Sequence, residues 1–155
     1  MEQFDGYNIT ANDDEFDFGI AAHVLEHVEH ERAFLQEITR VCRVVYIEVP
    51  LEFTLDLKRS IRISGEYGHI NFYNPTIFEN LVETSGLQII VFQIFPNSLE
   101  YEQYISGKTV GTIKFLIRQG LLYIAPKLAP HFMTYLASAI CQKKTCNEQK
   151  IPPQN

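Results

Sequence analysis

Apolar positions along the chain follow two rhythms in turn, and their alternation predicts the architecture. Phe16 to Ala22 (FDFGIAA) is a short apolar run of the kind a buried strand makes. His23 to His30 continues it as a turn or short helix. From Glu31 to Cys42 the spacing changes. Phe34, Leu35, Ile38, Val41 and Cys42 form one helical stripe. Val44 to Val49 (VVYIEV) is β-branched and nearly all apolar, which suits an interior parallel strand, and Pro50 is expected to end it.

Residues 51–73 are mixed, with Gly65 and Gly68 as breakers. Asn74-Pro75 predicts a helix start, because Asn caps the orphan N–H groups and Pro fits the first turn. Ile77, Phe78, Leu81 and Val82 are its apolar face, and Gly86 closes it. Leu87 to Phe95 reads as a strand stopped by Pro96, and 97–107 as a polar connection. Val110 to Leu122 has helical spacing, with Val110, Ile113, Leu116, Ile117 and Gly120 on one side. Pro126 and Pro130 break the segment after it, and Tyr135 to Cys141 is the last strand. Strands alternating with helices imply an α/β fold whose sheet is mostly parallel. The last two strands are expected to pair antiparallel at one edge. Function in such sheets lies beyond the carboxyl ends of the strands, here Ala21 to Val24 and Glu48 to Glu52.

Composition narrows the class. Of the 155 residues, 46% are hydrophobic and 21% charged, which supports one globular domain with a real core. A formal charge of −6 argues against a broad nucleic-acid surface. Cys42, Cys141 and Cys146 are too few and too scattered for a disulfide framework, so a reducing, cytoplasmic location is expected. Met1 to Asp5 has no signal-peptide character. The apolar stretch 128–142 is too short to span a bilayer.

Three stretches in order resemble the class I S-adenosylmethionine-dependent methyltransferase family, in particular its type 11-like domains. The first is Phe4-Asp5-Gly6, then Asp14-Glu15-Phe16-Asp17, then Ala21-Ala22-His23-Val24-Leu25-Glu26-His27-Val28. The second is Leu35 to Pro50. The third is Gly68-His69-Ile70-Asn71-Phe72-Tyr73, with Ser85-Gly86-Leu87 after the next helix. The resemblance covers roughly residues 4–95, is weak over 96–130 and returns faintly near the end. It implies a partial Rossmann-like fold with helices on the sheet and a final antiparallel strand. The domain would run over 1–143, with a helical insertion at about 105–133 and a polar, disordered tail at 144–155. The family's glycine-rich turn after strand one and its ribose-binding acid after strand two have no match, so the chain would correspond to the C-terminal part.

By the same resemblance the cofactor is S-adenosyl-L-methionine. Asp5 would accept from the adenine amine, Gly6 or Tyr7 would offer a backbone N–H, and Ala22 and His23 would line the methionine end. Glu48 and His69 stand, by location, as candidate bases or acceptor contacts. The acceptor is expected to be a small molecule, and this reading calls for no metal. Loss of the neighbouring strands would leave an apolar sheet edge, predicting self-association or a partner that covers it.

Two other readings compete. A degenerate module of this family would bind a partner without catalysis. His23-Val24-Leu25-Glu26-His27 also spells H-x-x-E-H. On a helix, His23 and His27 would share a face and could hold zinc with Glu26 as base and Glu100 or Glu102 as a third ligand.

Overall fold

The computed structural model describes residues 5–144. Among these residues the helices and strands succeed one another as β1 (Phe16–Ala22), α1 (Glu31–Val41), β2 (Cys42–Leu51), α2 (Leu57–Ser64), α3 (Pro75–Thr84), β3 (Leu87–Phe95), α4 (Leu99–Ser106), α5 (Lys108–Ile124), α6 (Ala129–Phe132) and β4 (Tyr135–Lys143). A 3₁₀ turn at Gly65–Tyr67 comes after α2. The strands form one sheet in the order β1-β2-β4-β3. β1 pairs parallel to β2, and β4 runs antiparallel to both of its neighbours. Three strands therefore share one direction and the last opposes them, as the resemblance implies. β4 lies inside the sheet, and β3 takes the edge.

The α1 stripe buries Phe34, Leu35, Ile38 and Val41. Asn74 caps α3 by accepting from the Ile77 N–H, 2.9 Å. Phe78, Leu81 and Val82 of α3 join the same core. These helices cover the sheet face that carries Ala21, Val45, Ile47, Val49, Ala137 and Ala139, all at most 1% exposed. Complete burial of a side chain such as Phe78 contributes roughly 1.5–3 kcal/mol. The opposite face is partly covered on the central strands, where Pro50 and Ser138 are buried, and open on β1. On β1 it carries Phe16, Phe18 and Ile20, which are exposed.

Several boundaries differ from the sequence reading. β2 continues through Pro50 to Leu51, pairing Pro50 with Leu136. β1 stops at Ala22, level with Glu48. Beyond that point β2 is an edge on its β1 side, where a missing N–H is tolerated. The mixed stretch 51–73 contains α2, capped by the Asp56 side chain on the Arg59 N–H. The connection 97–107 contains α4, capped by Ser98. Helix α5 buries only Gly111, and Val110, Ile113, Leu116 and Ile117 face outward. Residues 23–30 form turns and no helix. The tail beyond residue 144, including Cys146, lies outside the described residues.

Candidate functional site

β1 and β2 end together, and the site is built on that coincidence. The residue after β1, His23, adopts a left-handed φ of 55°. A non-glycine residue holds this conformation only when its surroundings compensate. Here the His23 N–H donates to the Glu48 carbonyl, 3.1 Å. Its ring then stands between two carboxylates, Nδ1 3.1 Å from Glu26 Oε1 and Nε2 3.2 Å from Glu48 Oε1. The Glu26 hydrogen bond, reinforced by the charges of Glu26 and Glu48, raises the His23 pKa above its usual value against the opposing pull of burial. The remaining oxygen of Glu48 accepts from the Tyr46 hydroxyl. Both oxygens of Glu48 are thus engaged, one by His23 and one by Tyr46.

A second loop is tied across the first. The Asn71 amide donates to the carbonyls of Leu25 and Val28, at 2.8 and 2.7 Å. The Ile70 and Asn71 N–H groups both donate to the Glu26 carbonyl. This stitching sets His69 beside His27, with ring centroids 4.8 Å apart and planes at 85°. His69 Nδ1 lies 2.8 Å from Glu52 Oε2, just past the end of β2. His27 Nδ1 lies 3.1 Å from the Gly68 carbonyl oxygen. The Glu26 side chain beneath them is fully buried.

These groups open onto a cavity of about 820 Å³. Its far wall includes Tyr101 of α4 and Arg118 of α5. Arg118 pairs with the buried Glu102, which locks α4 to α5. Burial lowers the Arg118 pKa from its usual value. Of the described cysteines, neither lines this cavity. Cys42 and Cys141 are buried, which raises both thiols, Cys141 to about 12.

The sequence-derived candidates therefore fall into two groups. His23, Glu48 and His69 gather at the carboxyl ends of β1 and β2, with the exposed Ala22 next to them. Asp5, Gly6 and Tyr7 form a separate loop over the start of α1. Asp5 Oδ1 accepts from the N–H groups of Tyr7 and Asn8, and the Tyr7 hydroxyl accepts from the His30 N–H. Gly6 has a φ of 88°, and an added Cβ would come within 3.4 Å of the Phe34 ring.

Glu52 and Asn71 were not among the candidates. Glu52 had a signal, its place just beyond a strand end. Asn71 stands in the 68–73 stretch of the resemblance, but its bonds cross a distance that only the folded chain closes. The H-x-x-E-H reading needed a helix, and turns stand in its place. Both nitrogens of His23 face carboxylates, and Glu102 is committed to Arg118.

A family model described as a methyltransferase domain matches residues 1–91. The chain belongs to the methyltransferase-domain family. No curated protein matches the sequence. Among solved structures, the "putative sarcosine dimethylglycine methyltransferase" from Galdieria sulphuraria is similar, with a TM-score of 0.60 and 16% identity over 91% of this chain. The [4+2]-cyclase SpnF is similar with a TM-score of 0.58 and 14% identity over 92% of this chain. The phosphoethanolamine N-methyltransferase 2 of Haemonchus contortus, in complex with S-adenosyl-L-methionine, gives a TM-score of 0.57 and 11% identity over 91% of this chain. This chain spans 57%, 54% and 36% of those chains, respectively. Identities this low establish the fold, and a cyclase among the neighbours shows that the fold does not dictate one reaction. No described helix of this methyltransferase-domain chain is long and apolar enough to cross a membrane.

Proposed function

We propose that this chain is the C-terminal part of an S-adenosylmethionine-dependent methyltransferase acting on a small molecule in the cytoplasm. The observation that carries this reading is the joint end of β1 and β2. There His23, held by Glu26 and Glu48, borders the cavity of about 820 Å³. That volume falls within the roughly 300–1,000 Å³ range of small-molecule sites.

The residues present fit one side of the cofactor. Ala22 is small and exposed at the strand end, so a ligand can approach its backbone closely. The Asp5 turn presents an exposed carboxylate beside the left-handed Gly6. Asp5, Gly6, Tyr7, Ala22 and His23 would hold the cofactor. When bound, S-adenosylmethionine supplies an electrophilic methyl group on a sulfonium. The chain contributes position and electrostatics. Glu48 fixes the His23 ring. His69, braced by Glu52 through Nδ1, lines the cavity, where Nε2 could take a proton from an acceptor. The net charge of −6 favours a small-molecule acceptor over nucleic acid.

Calorimetric titration with S-adenosylhomocysteine tests the reading. One-to-one binding, weakened by Asp5→Ala and by Ala22→Phe, is the expected result. A folded chain that takes up no S-adenosylhomocysteine would refute cofactor binding by this chain and favour a non-catalytic binding module.

A further inference from the structure

One ligating atom from each of Glu26, His27 and His69 lies within 4.8 Å of the other two. Three features distinguish this trio from an incidental cluster. Glu26 is fully buried, and its Oε2 has no hydrogen-bond partner among the described residues. A buried carboxylate oxygen without a donor is costly, so it calls for a cation or a donor that the described residues do not supply. Each imidazole is also fixed by an acceptor at Nδ1, His27 by the Gly68 carbonyl and His69 by the Glu52 carboxylate. An acceptor at Nδ1 places the proton there, which leaves the Nε2 lone pair for a ligand. Finally, the Glu26 Oε1 is oriented by His23. All three side chains therefore have the outer hydrogen bond that metal ligands characteristically carry.

We infer that Glu26, His27 and His69 form a binding site for a divalent transition-metal ion of the zinc class, opening onto the cavity. Two imidazoles and one carboxylate select such ions over magnesium or calcium, which prefer all-oxygen shells. Ligand atoms on a tetrahedral zinc stand roughly 3.3 Å apart, so the three close inward on binding. His27 is exposed and has room to move. Three protein ligands leave a fourth position facing the cavity, where His27 and His69 both line the wall. An oxygen or nitrogen of a bound small molecule would fill that position. A hydroxyl held there would lose its proton more readily. In that state His69 is a ligand, and the metal replaces it as the group that activates the acceptor. The site stands on this chain's residues alone and holds whether or not the cofactor reading survives.

The test uses the chelator-stripped chain without cofactor. Cobalt(II) is titrated and read by its visible absorption, and zinc is read by calorimetry. One equivalent is expected, with a cobalt spectrum of low-coordinate nitrogen and oxygen ligation. His27→Ala and His69→Ala should weaken binding by more than the roughly 10–100-fold that loss of an outer partner costs. His131→Ala, outside the cluster, should leave it unchanged. Circular dichroism checks that each variant is folded. His27 is exposed, so its variant decides the matter if Glu26→Gln does not fold. Absence of one-equivalent binding, or binding that survives both histidine variants, overturns the inference. Neither readout requires S-adenosylmethionine, so failure here is distinguishable from failure of the methyltransferase proposal.

Discussion

His69 holds Glu52 through Nδ1 at 2.8 Å, and this one bond decides which edge of the imidazole is left for chemistry. Glu52 borders the cavity and is bonded to His69. It acts through His69 as a positioning residue. Replacing it with Ala should lower zinc affinity about 10–100-fold, the usual cost of losing an outer partner. The measurement is chelator competition on the folded variant, and full recovery in Glu52→Asp would point to the carboxylate itself.

The His23 pair of carboxylates also predicts a pH dependence of stability. The folded pKa of His23 is raised above its unfolded value near 6.5. Protonation therefore favours the folded state. The contribution is fully present below about pH 6.5 and is lost as pH rises through the folded pKa. In His23→Gln that pH-dependent component should vanish. Denaturant midpoints of the two proteins across pH 5–9 should converge as pH rises, and parallel curves would remove His23 as the source.

Opposite the site, α4 and α5 meet at Gly111. A Cβ there would overlap the backbone of Glu102 and Gln103. Gly111→Ala should destabilise by about 1–3 kcal/mol, the usual cost of overpacking. It should also loosen the Glu102–Arg118 pair at the cavity wall. Equilibrium unfolding gives the first effect. Gly120→Ala is the control, because nothing lies within 4 Å of a Cβ at that position.

The open face and free edge of β1 should make the isolated chain self-associate. Phe18 and Ile20 are 51% and 67% exposed on adjacent same-face positions. Exposed apolar strands at an edge pair readily with other chains. Light scattering after size-exclusion chromatography should show species larger than a monomer, shifted toward monomer by Phe18→Lys with Ile20→Lys. A monodisperse monomer of the unmodified chain would count against this.

Legibility in the sequence tracked the strength of local signals. FDFGIAA at Phe16–Ala22 and the apolar run Leu87–Phe95 give strands with the expected bounds. The Glu31–Val41 stripe and the Asn74-Pro75 cap also act as their residue types dictate. Helices α2 and α4 were hidden because neither has a broad apolar stripe. Each has a local cap, Asp56 or Ser98, and α4 gains its place from packing on Gly111. The apolar side of α5 misled for the opposite reason. Its spacing is helical, but among the described residues Val110, Ile113, Leu116 and Ile117 stay more than half exposed.

By itself the sequence determined the alternation of strands and helices and the family. These come from periodicity, caps and motifs, which are local properties of a chain. Tertiary structure decided the rest. It put β4 between β2 and β3, turned His23 onto Glu26 and Glu48, and split the H-x-x-E-H residues between two roles. His23 became a brace, while Glu26 and His27 joined His69 from a distant loop. No spacing rule could foresee that trio, because the Asn71 and Ile70 hydrogen bonds that bring the loops together exist only once the chain has folded.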